Sequence, residues 1–300
     1  MKNSYSKIEP SVSIIMNCYN GETYLKESIS SILSQTYKNW ELIFWDNKSQ
    51  DKSAEIFKKY NDKRLKYFYA KEHTTLYKAR NLAIEKSNNN FIAFLDTDDL
   101  WNSNKLELQM KYFKNPDVGV VFSNCWILKK KNKKKIYIKK RLPSGKIFDE
   151  LVDNYNLGIL TAVIRKSFYS SLDKKFDERF SIIGDSDLFI RLSKNCLFES
   201  IQEPLASYRL HDKNLSKLIK GREVEESEIW LKENQINLSK SQVIKLQIRI
   251  DQMKFTNYKI EGKYKDCISL LINPKKKLFN IRNLALLFAP SILLKKLLWF

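Results

Sequence analysis

Phe91-Ile92-Ala93-Phe94-Leu95-Asp96-Thr97-Asp98-Asp99-Leu100-Trp101 is the stretch that decides the fold. Its five consecutive apolar residues predict a strand buried on both faces, as in a parallel sheet. Open α/β sheets bind ligands just beyond the carboxyl ends of such strands, which is where the three carboxylates stand. Crowded carboxylates repel one another, and Mg²⁺ is commonly held by one or two of them with phosphate oxygens and water. The alternative is that Asp98 or Asp99 caps a helix starting near Leu100.

Upstream of this stretch the apolar pattern alternates between the periods of strands and helices. Four strands are predicted, at residues 12–16, 41–45, 65–69 and 91–95. A helix separates each pair, since apolar residues recur there at helical spacing. The order β-α-β-α-β-α-β predicts an α/β fold with a mostly parallel sheet, flanking helices and right-handed crossovers. The polar strand ends should then converge on one edge of the sheet.

Composition and charge limit the class of protein. With 300 residues, 43% hydrophobic and 13% aromatic, the chain is globular and long enough for one large domain and a smaller appendage. Its formal net charge of +20 favours a polyanionic neighbour, either an anionic membrane, a phosphorylated ligand or nucleic acid. The basic residues concentrate in 129–141, where we predict a hairpin with a basic tip, and after Asp266, where no acidic residue follows.

The domain boundaries follow from the same patterns. Residues 1–10 form a polar N-terminal tail without the apolar core of a secretory signal, and the four cysteines form no CxxC pair. Both features predict a reduced, cytoplasmic setting. We place a main domain at 11–218 and a helical C-terminal region at 219–300. Past Trp101 we predict a strand at 119–127, a short helix at 147–152, a strand at 161–164 and a helix at 185–193.

The C-terminal residues combine apolar side chains with cations. Leu284 to Phe300 is rich in leucine, contains Lys295 and Lys296 and follows Arg282, but no run of eighteen apolar residues exists. Because a span needs about twenty such residues, we predict instead that the tail lies in the headgroup region of an anionic membrane. The alternative is a helix pair that packs back on the main domain.

Seven short motifs occur in a fixed order. They are VSIIMNCYNG (12–21), SQTY (34–37), DNKSQDKS (46–53), ARNLA (79–83), FLDTDD (94–99), GDSDLFIRL (184–192) and YRLH (208–211). Each is weak alone, but together they resemble the family 2 glycosyltransferases of GT-A fold, over roughly residues 11–215. The resemblance implies an enzyme that uses a nucleotide-sugar donor.

The donor would be held by residues at the strand ends. By the resemblance, Tyr19 and Asp46 hold the nucleotide base, and Asn17 belongs to the same loop. Tyr19 could instead be a turn aromatic and Asp46 an Asx-turn or cap. Arg80 resembles an arginine near the donor diphosphate, a task that suits a guanidinium fork. Its alternative is a solvated helix face.

A metal ion and a catalytic base complete the implied site. Asp96 and Asp98 would bridge Mn²⁺ or Mg²⁺ to the diphosphate, with Asp99 contacting the sugar or the ion. His211 would stand near the diphosphate or metal, although a lone histidine is often a packed or surface residue. Asp185 matches the family's catalytic base, which takes the proton of the acceptor hydroxyl, and Asp187 is the alternative, its other role being charge at a helix N-terminus.

Three departures from the family pattern involve four positions. Asn17 replaces the usual proline, Asn47 and Lys48 replace an aspartate and a glycine in the second loop, and Gly184 replaces the common glutamate before the base. The first departure affects the geometry of the turn after the first strand, and the second affects recognition of the nucleotide base. The third removes a carboxylate beside Asp185.

The sequence therefore predicts an inverting, metal-dependent glycosyltransferase. It would move a sugar from a nucleotide-diphosphate donor, a UDP-sugar by expectation, to a hydroxyl of a glycan or lipid-linked oligosaccharide for surface polysaccharide synthesis. We expect it in the cytoplasm, peripheral on the inner face of the cell membrane, with no nucleic-acid partner. One alternative is a nucleotidyltransferase, which would normally carry an early Gly-rich loop, whereas residues 12–21 hold one glycine. Another is a non-catalytic polyanion binder, whose binding would depend steeply on salt.

Overall fold

The computed structural model describes residues 10–129, 134–215, 219, 221–273, 278 and 281–288. The chain divides into two compact units, residues 1–214 and 215–300. Three predicted features lie outside the described residues. They are the N-terminal tail before Pro10, the tip of the hairpin at 130–133 and the apolar residues from 289 onward.

One sheet runs through the first unit. Its nine strands in the described residues are β1 (Val12–Cys18), β2 (Trp40–Asp46), β3 (Leu65–Tyr69), β4 (Phe91–Phe94), β5 (Leu100–Trp101), β6 (Val118–Leu128), β7 (Lys134–Ile136), β8 (Val163–Arg165) and β9 (Leu197–Arg209). The spatial order is β3-β2-β1-β4-β8-β6-β9-β5, and β7 pairs with β6.

The first half of the sheet is parallel, as the sequence predicted. β1 pairs in parallel with both β2 and β4, and β2 pairs in parallel with β3. All seven residues of β2 and all four of β4 are buried, which fits strands covered on both faces by helices. Cys18 pairs with Asp46, so the loops after β1 and β2 leave the sheet at the same edge.

The second half of the sheet mixes directions. β8 pairs antiparallel with β4 and β6, while β6 and β9 run in parallel. The helix expected to start near Leu100 is absent, because Leu100–Trp101 forms β5 and pairs antiparallel with Ser207 and Ala206. Asp98 and Asp99 therefore do not cap a helix there, and that alternative is wrong. The next helix begins at Lys105.

The helices of the first unit carry apolar faces onto this sheet. Leu25, Ile29 and Ile32 are buried on the first helix, at the helical spacing that the sequence shows. The core includes buried side chains from β1, β2, β4 and β6. The helices are α1 (Leu25–Leu33), α2 (Ser53–Lys58), α3 (Leu76–Glu85), α4 (Lys105–Met110), α5 (Phe148–Asp153), α6 (Lys166–Ser170) and α7 (Gly184–Ser193).

The second unit is helical where it is described. Its helices are α8 (Arg222–Asn234), α9 (Lys240–Glu261), α10 (Tyr264–Ile272) and α11 (Ile281–Phe288). A capping box of Ser239 and Gln242 starts α9. Phe255, Cys267 and Leu271 form a small core, and Leu284, Leu286 and Leu287 of α11 pack against it. Among the described helices none is both long enough and apolar enough to cross a membrane.

Candidate active site

The loops after β1, β2 and β4 meet at one edge of the sheet. The N–H of Asn47 donates to the carbonyl of Cys18 at 2.8 Å, and the hydroxyl of Ser49 accepts from the N–H of Asn20 at 3.1 Å. Gly21 packs so closely on Thr97 that a Cβ at position 21 would lie 2.7 Å from the threonine Oγ1. The convergence that the β-α alternation predicted is confirmed for these three loops.

Asp46 is buried at the end of β2 and already has protein partners. One carboxylate oxygen accepts from the N–H of Ser49, three residues further along the chain, at 2.7 Å, and the other accepts from the Tyr67 hydroxyl at 2.7 Å. Burial first, and then this bond to Asp46, raise the pKa of Tyr67. This carboxylate therefore closes the turn after β2, but its bond to Ser49 spans three residues where an Asx-turn spans two, and the next helix begins only at Ser53. The contact of Asp46 with a nucleotide base stays a prediction.

Exposed rings surround the loops at this edge. Tyr19 is half exposed, and its ring centroid lies 4.1 Å from that of His73. Tyr69 at the end of β3 is equally exposed, and the Lys48 ammonium lies 5.1 Å from its ring centroid. We did not predict roles for His73 and Tyr69, because neither lies in a recognised motif. Flat rings and a cation suit a nucleotide base.

Two of the departures from the family pattern have structural correlates. Lys48 has a φ of +71°, a left-handed conformation that glycine adopts at little cost and that a lysine adopts with strain. This conformation would suit the glycine that the family pattern has at this position. The side-chain nitrogen of Asn17 is buried without a hydrogen-bond partner among the described residues. Its role toward the donor stays a prediction.

Arg80 lies on α3 and is paired with Asp96. The guanidinium Nη2 lies 3.0 and 3.2 Å from the two carboxylate oxygens, and the arginine side chain is almost fully buried while Asp96 is partly exposed. Burial acts to lower the pKa of Arg80, but the charge and hydrogen bond of Asp96 together with the charges of Tyr77 and Asp185 outweigh it, and the pKa is raised. The alternative of a solvated helix face is therefore wrong. Arg80 presents a fixed positive charge beside the carboxylates that follow β4.

Asp98 and His211 are in direct contact. The His211 Nε2 lies 2.7 Å from Asp98 Oδ2, and the N–H of Lys213 donates to His211 Nδ1 at 3.2 Å. These bonds assign the proton of a neutral imidazole to Nε2, so the ring donates to the carboxylate. His211 thus orients Asp98 in this structure. Its role as a metal ligand stays a prediction.

The donor set beyond β4 fits a hard divalent cation shared with phosphate oxygens. Asp96 and Asp98 both retain solvent exposure on their side chains, and carboxylates are the ligands that Mg²⁺ and Mn²⁺ take from proteins. Within the described ranges, no three His, Cys, Asp or Glu side chains gather as a ready-made metal cluster. A cation held by one or two carboxylates and a diphosphate requires no such cluster.

Asp99 is buried and ties the loop to β9. Its Oδ1 accepts from the N–H of Arg209 at 2.8 Å. Burial, followed by the charges of Asp98 and Asp96, raises the pKa of Asp99 well above its ordinary value. Arg209 in turn donates to the Asp98 carbonyl and pairs with Glu27 at 2.6 Å. Asp99 therefore has a structural position, and its contact with a sugar or ion stays a prediction.

Asp185 and Asp187 occupy different environments in the first turn of α7. Arg191 pairs with Asp187 at 2.7 Å through Nη2, so that carboxylate is buried and neutralised. The Asp185 carboxylate accepts from the N–H of Ser186 at 2.8 Å. Burial raises the pKa of Asp185 to about 6, although the Arg80 charge opposes the shift. A carboxylate poised there can take a proton near neutral pH, which favours Asp185 over Asp187 as a base.

Tyr155 is a third residue to which the sequence assigned no role. It lies in the loop after α5, and its hydroxyl is buried without a hydrogen-bond partner among the described residues. Burial, and then the charge of Asp185, raise the pKa of Tyr155 well above its ordinary value. Its loop contains none of the seven motifs, so the sequence gave no reason to expect Tyr155 in the site.

Solved structures identify the class of fold. The S. aureus TarS 1-349 structure in complex with UDP-GlcNAc superposes with a TM-score of 0.68 at 17% identity, covering 92% of this chain and 83% of that one. The mannosyltransferase PcManGT from Pyrobaculum calidifontis, in complex with GDP-Man and Mn²⁺, gives 0.61 at 14% identity, covering 97% and 88%. This chain therefore has the GT-A glycosyltransferase fold, which confirms the fold class predicted from the sequence.

The sequence comparisons give the family. Residues 13–174 match the family described as Glycosyl transferase family 2. The Escherichia coli protein named UDP-Glc:alpha-D-GlcNAc-diphosphoundecaprenol beta-1,3-glucosyltransferase WfgD is 33% identical over 182 residues, which are 61% of this chain and 68% of the relative. The chain belongs to glycosyl transferase family 2 and is a glycosyltransferase. The resemblance drawn from the seven motifs is confirmed.

Proposed function

We propose that this chain transfers a sugar, with inversion, from a nucleotide-diphosphate donor to a hydroxyl of a glycan acceptor. The observation that carries the proposal is the arrangement around Arg80. A buried guanidinium pairs with the partly exposed Asp96, and its charge also acts on Asp185, a carboxylate whose pKa is raised to about 6. One centre thus holds a cation for a leaving diphosphate and a base for an attacking hydroxyl.

The leaving group would be stabilised by fixed positive charge. Arg80 is held in place by burial and by Asp96, so it needs little reorganisation as charge develops on the diphosphate. Asp96 and Asp98 would hold Mn²⁺ or Mg²⁺, which supplies further neutralisation of the diphosphate when bound. His211 keeps the Asp98 carboxylate oriented through the 2.7 Å hydrogen bond.

The attacking group would be activated by Asp185. The acceptor hydroxyl must lose its proton as it attacks the anomeric carbon, and a carboxylate with a pKa of about 6 takes that proton while being ionised at neutral pH. Placement of both substrates in one site makes the displacement effectively unimolecular. A single displacement by the hydroxyl inverts the configuration at the anomeric carbon.

A UDP-sugar and a lipid-linked acceptor are the substrates that the relatives support. The name of WfgD specifies UDP-Glc and a diphosphoundecaprenol acceptor, and the TarS structure contains UDP-GlcNAc. The exposed Tyr19 and Tyr69 rings, with Lys48 beside them, offer a face to a nucleotide base. These points support a role in the synthesis of a surface polysaccharide.

Peripheral binding to an anionic membrane would bring the enzyme to such an acceptor. On α10 the side chains of Tyr264, Ile268 and Ile272 recur every four residues and are all exposed. Lys265 and Asp266 are exposed beside them, and so is Lys263, which pairs with Glu261 at 2.7 Å. An apolar stripe flanked by lysines suits the headgroup region of anionic lipid. In our proposal α10 binds the inner face of the cell membrane, and the enzyme works from the cytoplasm.

Flotation with liposomes tests the membrane part of the proposal. The Ile268→Ser/Ile272→Ser double variant should lose binding to anionic vesicles, while neutral vesicles should bind neither protein. Ile236→Ser is the matched control, because Ile236 is a highly exposed isoleucine outside α10. Equal flotation of wild type and the double variant would remove α10 from the proposal.

A donor screen tests the transfer itself. Wild type is incubated with UDP-, GDP- and dTDP-sugars and Mn²⁺ or Mg²⁺, and mass spectrometry follows the released nucleotide. We expect nucleoside diphosphate from one class of donor and no release by Asp185→Asn above background. Release of nucleoside monophosphate would instead indicate cleavage within the diphosphate and contradict sugar transfer.

A further inference from the structure

Tyr77 is a buried residue that connects the two halves of the candidate site. It lies on α3, three residues before Arg80, and it is 2% exposed. Residues three apart on a helix are neighbours on its surface, so the ring and the guanidinium share one face. None of the roles assigned above involves it.

The Tyr77 hydroxyl is bonded to the backbone on both sides of Gly184. It donates to the carbonyl of Ile182 at 3.0 Å, and it accepts from the N–H of Asp185 at 3.2 Å. The N–H of Asp185 belongs to the first turn of α7, where helix N–H groups have no partner within the helix. A side chain from α3 therefore fixes the backbone that carries the candidate base.

The Tyr77 ring fills the space beside Gly184. A Cβ built on Gly184 would lie 2.5 to 2.7 Å from three carbons of that ring, a separation that real atoms do not tolerate. The close approach of ring and backbone therefore requires glycine at 184. It also gives a physical reason why the glutamate of the family pattern cannot stand at 184 in this chain, since no side chain fits while the ring stays.

The same ring supports Arg80. The guanidinium carbon lies 5.4 Å from the Tyr77 ring centroid, a cation–π distance, and the ring stacks on Phe176 at 5.3 Å between centroids. The aromatic face limits where the arginine can lie while Asp96 pairs with its Nη2. The ring of Tyr77 thus contacts Arg80, the residue proposed for the diphosphate, and its hydroxyl contacts the backbone N–H of Asp185, the proposed base.

We infer that Tyr77 is a positioning residue that sets Asp185 and Arg80 at a fixed separation, its hydroxyl serving the base and its ring serving the arginine. The inference rests on the proposed function. Tyr77 touches no reacting atom, so it acts through these two residues. Gly184 is the second half of the device, because it lets the ring reach the start of α7.

The test separates the hydroxyl from the ring. Tyr77→Phe keeps the ring and removes the bonds to Ile182 and Asp185, whereas Tyr77→Leu removes both. The readouts are kcat for release of UDP from UDP-glucose or UDP-GlcNAc, whichever wild type turns over, and the Kd of UDP with Mn²⁺ by calorimetry. Tyr169→Phe is the matched control, since Tyr169 is equally buried and its hydroxyl bonds to Asn81 and to the backbone N–H of Phe176, and not to the backbone of the candidate base.

The expected pattern is a split between kcat and Kd. Tyr77→Phe should lower kcat about 10- to 100-fold with an unchanged Kd, because small displacements of a catalytic group cost that much. Tyr77→Leu should also weaken UDP binding, and Tyr169→Phe should match wild type in both. Equal kcat for Tyr77→Phe and Tyr169→Phe, at equal thermal stability, would overturn the inference. If the donor screen identifies a GDP- or dTDP-sugar instead, the same comparison is made with that donor and its nucleoside diphosphate. Failure of wild type to release any nucleoside diphosphate would overturn the proposed function, whereas an absent split between kcat and Kd would overturn this inference alone.

A thermal-unfolding cycle keeps the inference testable if a Tyr77 variant loses activity by unfolding. Gly184→Ala should lower Tm strongly, because the new Cβ meets the ring. Tyr77→Ala in the same chain should restore part of that loss, so that the two changes are strongly non-additive. Additive losses would show that ring and glycine do not act together and would overturn the inference.

Discussion

Replacement of Asp185 by asparagine should make the protein more stable and inactive at once. Asp185 is a desolvated carboxylate whose pKa is raised from 3.8 to about 6, with burial as the largest cause. Its hydrogen bond from the N–H of Ser186 can be kept by an amide oxygen. Asparagine preserves the shape of the side chain and cannot ionise, so only the charge is removed.

The size of the stability change follows from linkage. The folded state binds the Asp185 proton more tightly than the unfolded state does, so the stability from the protonated form is complete below about pH 4 and is lost as the pH rises through about 6. Each pKa unit is worth about 1.4 kcal/mol, and ionisation of Asp185 therefore costs the fold about 3 kcal/mol at pH 8. Asp185→Asn should recover about that amount at pH 8 and very little at pH 4. General-base help contributes about 10²- to 10⁴-fold, and turnover should fall accordingly.

Denaturant unfolding of wild type and Asp185→Asn across pH 4–8, with nucleotide release measured on the same samples, gives both quantities. Asp187→Asn is the control, because it breaks the buried bond to Arg191 and should destabilise the protein by about 1–3 kcal/mol while leaving the base in place. A destabilised Asp185→Asn, or one with wild-type turnover, would refute the reasoning. So would loss of turnover in Asp187→Asn alone.

Three further predictions address the metal-binding carboxylate Asp98, the catalytic base and the loop after β2. Asp98→Ala should abolish Mn²⁺-dependent binding of UDP while keeping the fold, since this carboxylate is partly exposed. Calorimetry measures the binding, and full activity of the wild-type protein in excess EDTA would contradict the prediction. Turnover of wild type should rise with pH through an apparent pKa near 6, because the base must be ionised, and a flat profile from pH 5 to 8 would argue against Asp185. Lys48→Gly should raise the free energy of unfolding by about 1 kcal/mol because φ is +71° there, whereas Lys52→Gly, at the start of α2, should not.

The parallel half of the fold could be predicted because its strands are continuous apolar runs. Residues 41–45 and 91–94 are buried on both faces, so the sequence signal and the burial coincide. β9 was not predicted, because Leu197–Arg209 carries the polar residues Glu199, Gln202 and Glu203 on a stretch that is only partly buried. Its register with β6 also shifts next to Pro204, where the ladder is interrupted.

The site residues could be located by motif, but their partners could not. The sequence placed Arg80 and Asp96 sixteen positions apart and gave no reason to pair them. It left Asp185 and Asp187 open, since both stand in one helical turn, and the ion pair of Asp187 with Arg191 became visible only in three dimensions. Tyr77 gave no motif signal because its hydroxyl meets backbone atoms more than a hundred residues away.

The identity and configuration of the first products test the central claim most directly. Wild type with Mn²⁺ and an α-linked UDP-sugar, followed by ¹H NMR before the released sugar can mutarotate, reports both the bond cleaved and the anomer formed. The account predicts UDP together with the β-anomer, either free or joined to an acceptor. The α-anomer as first product, or UMP with a sugar phosphate, would contradict it.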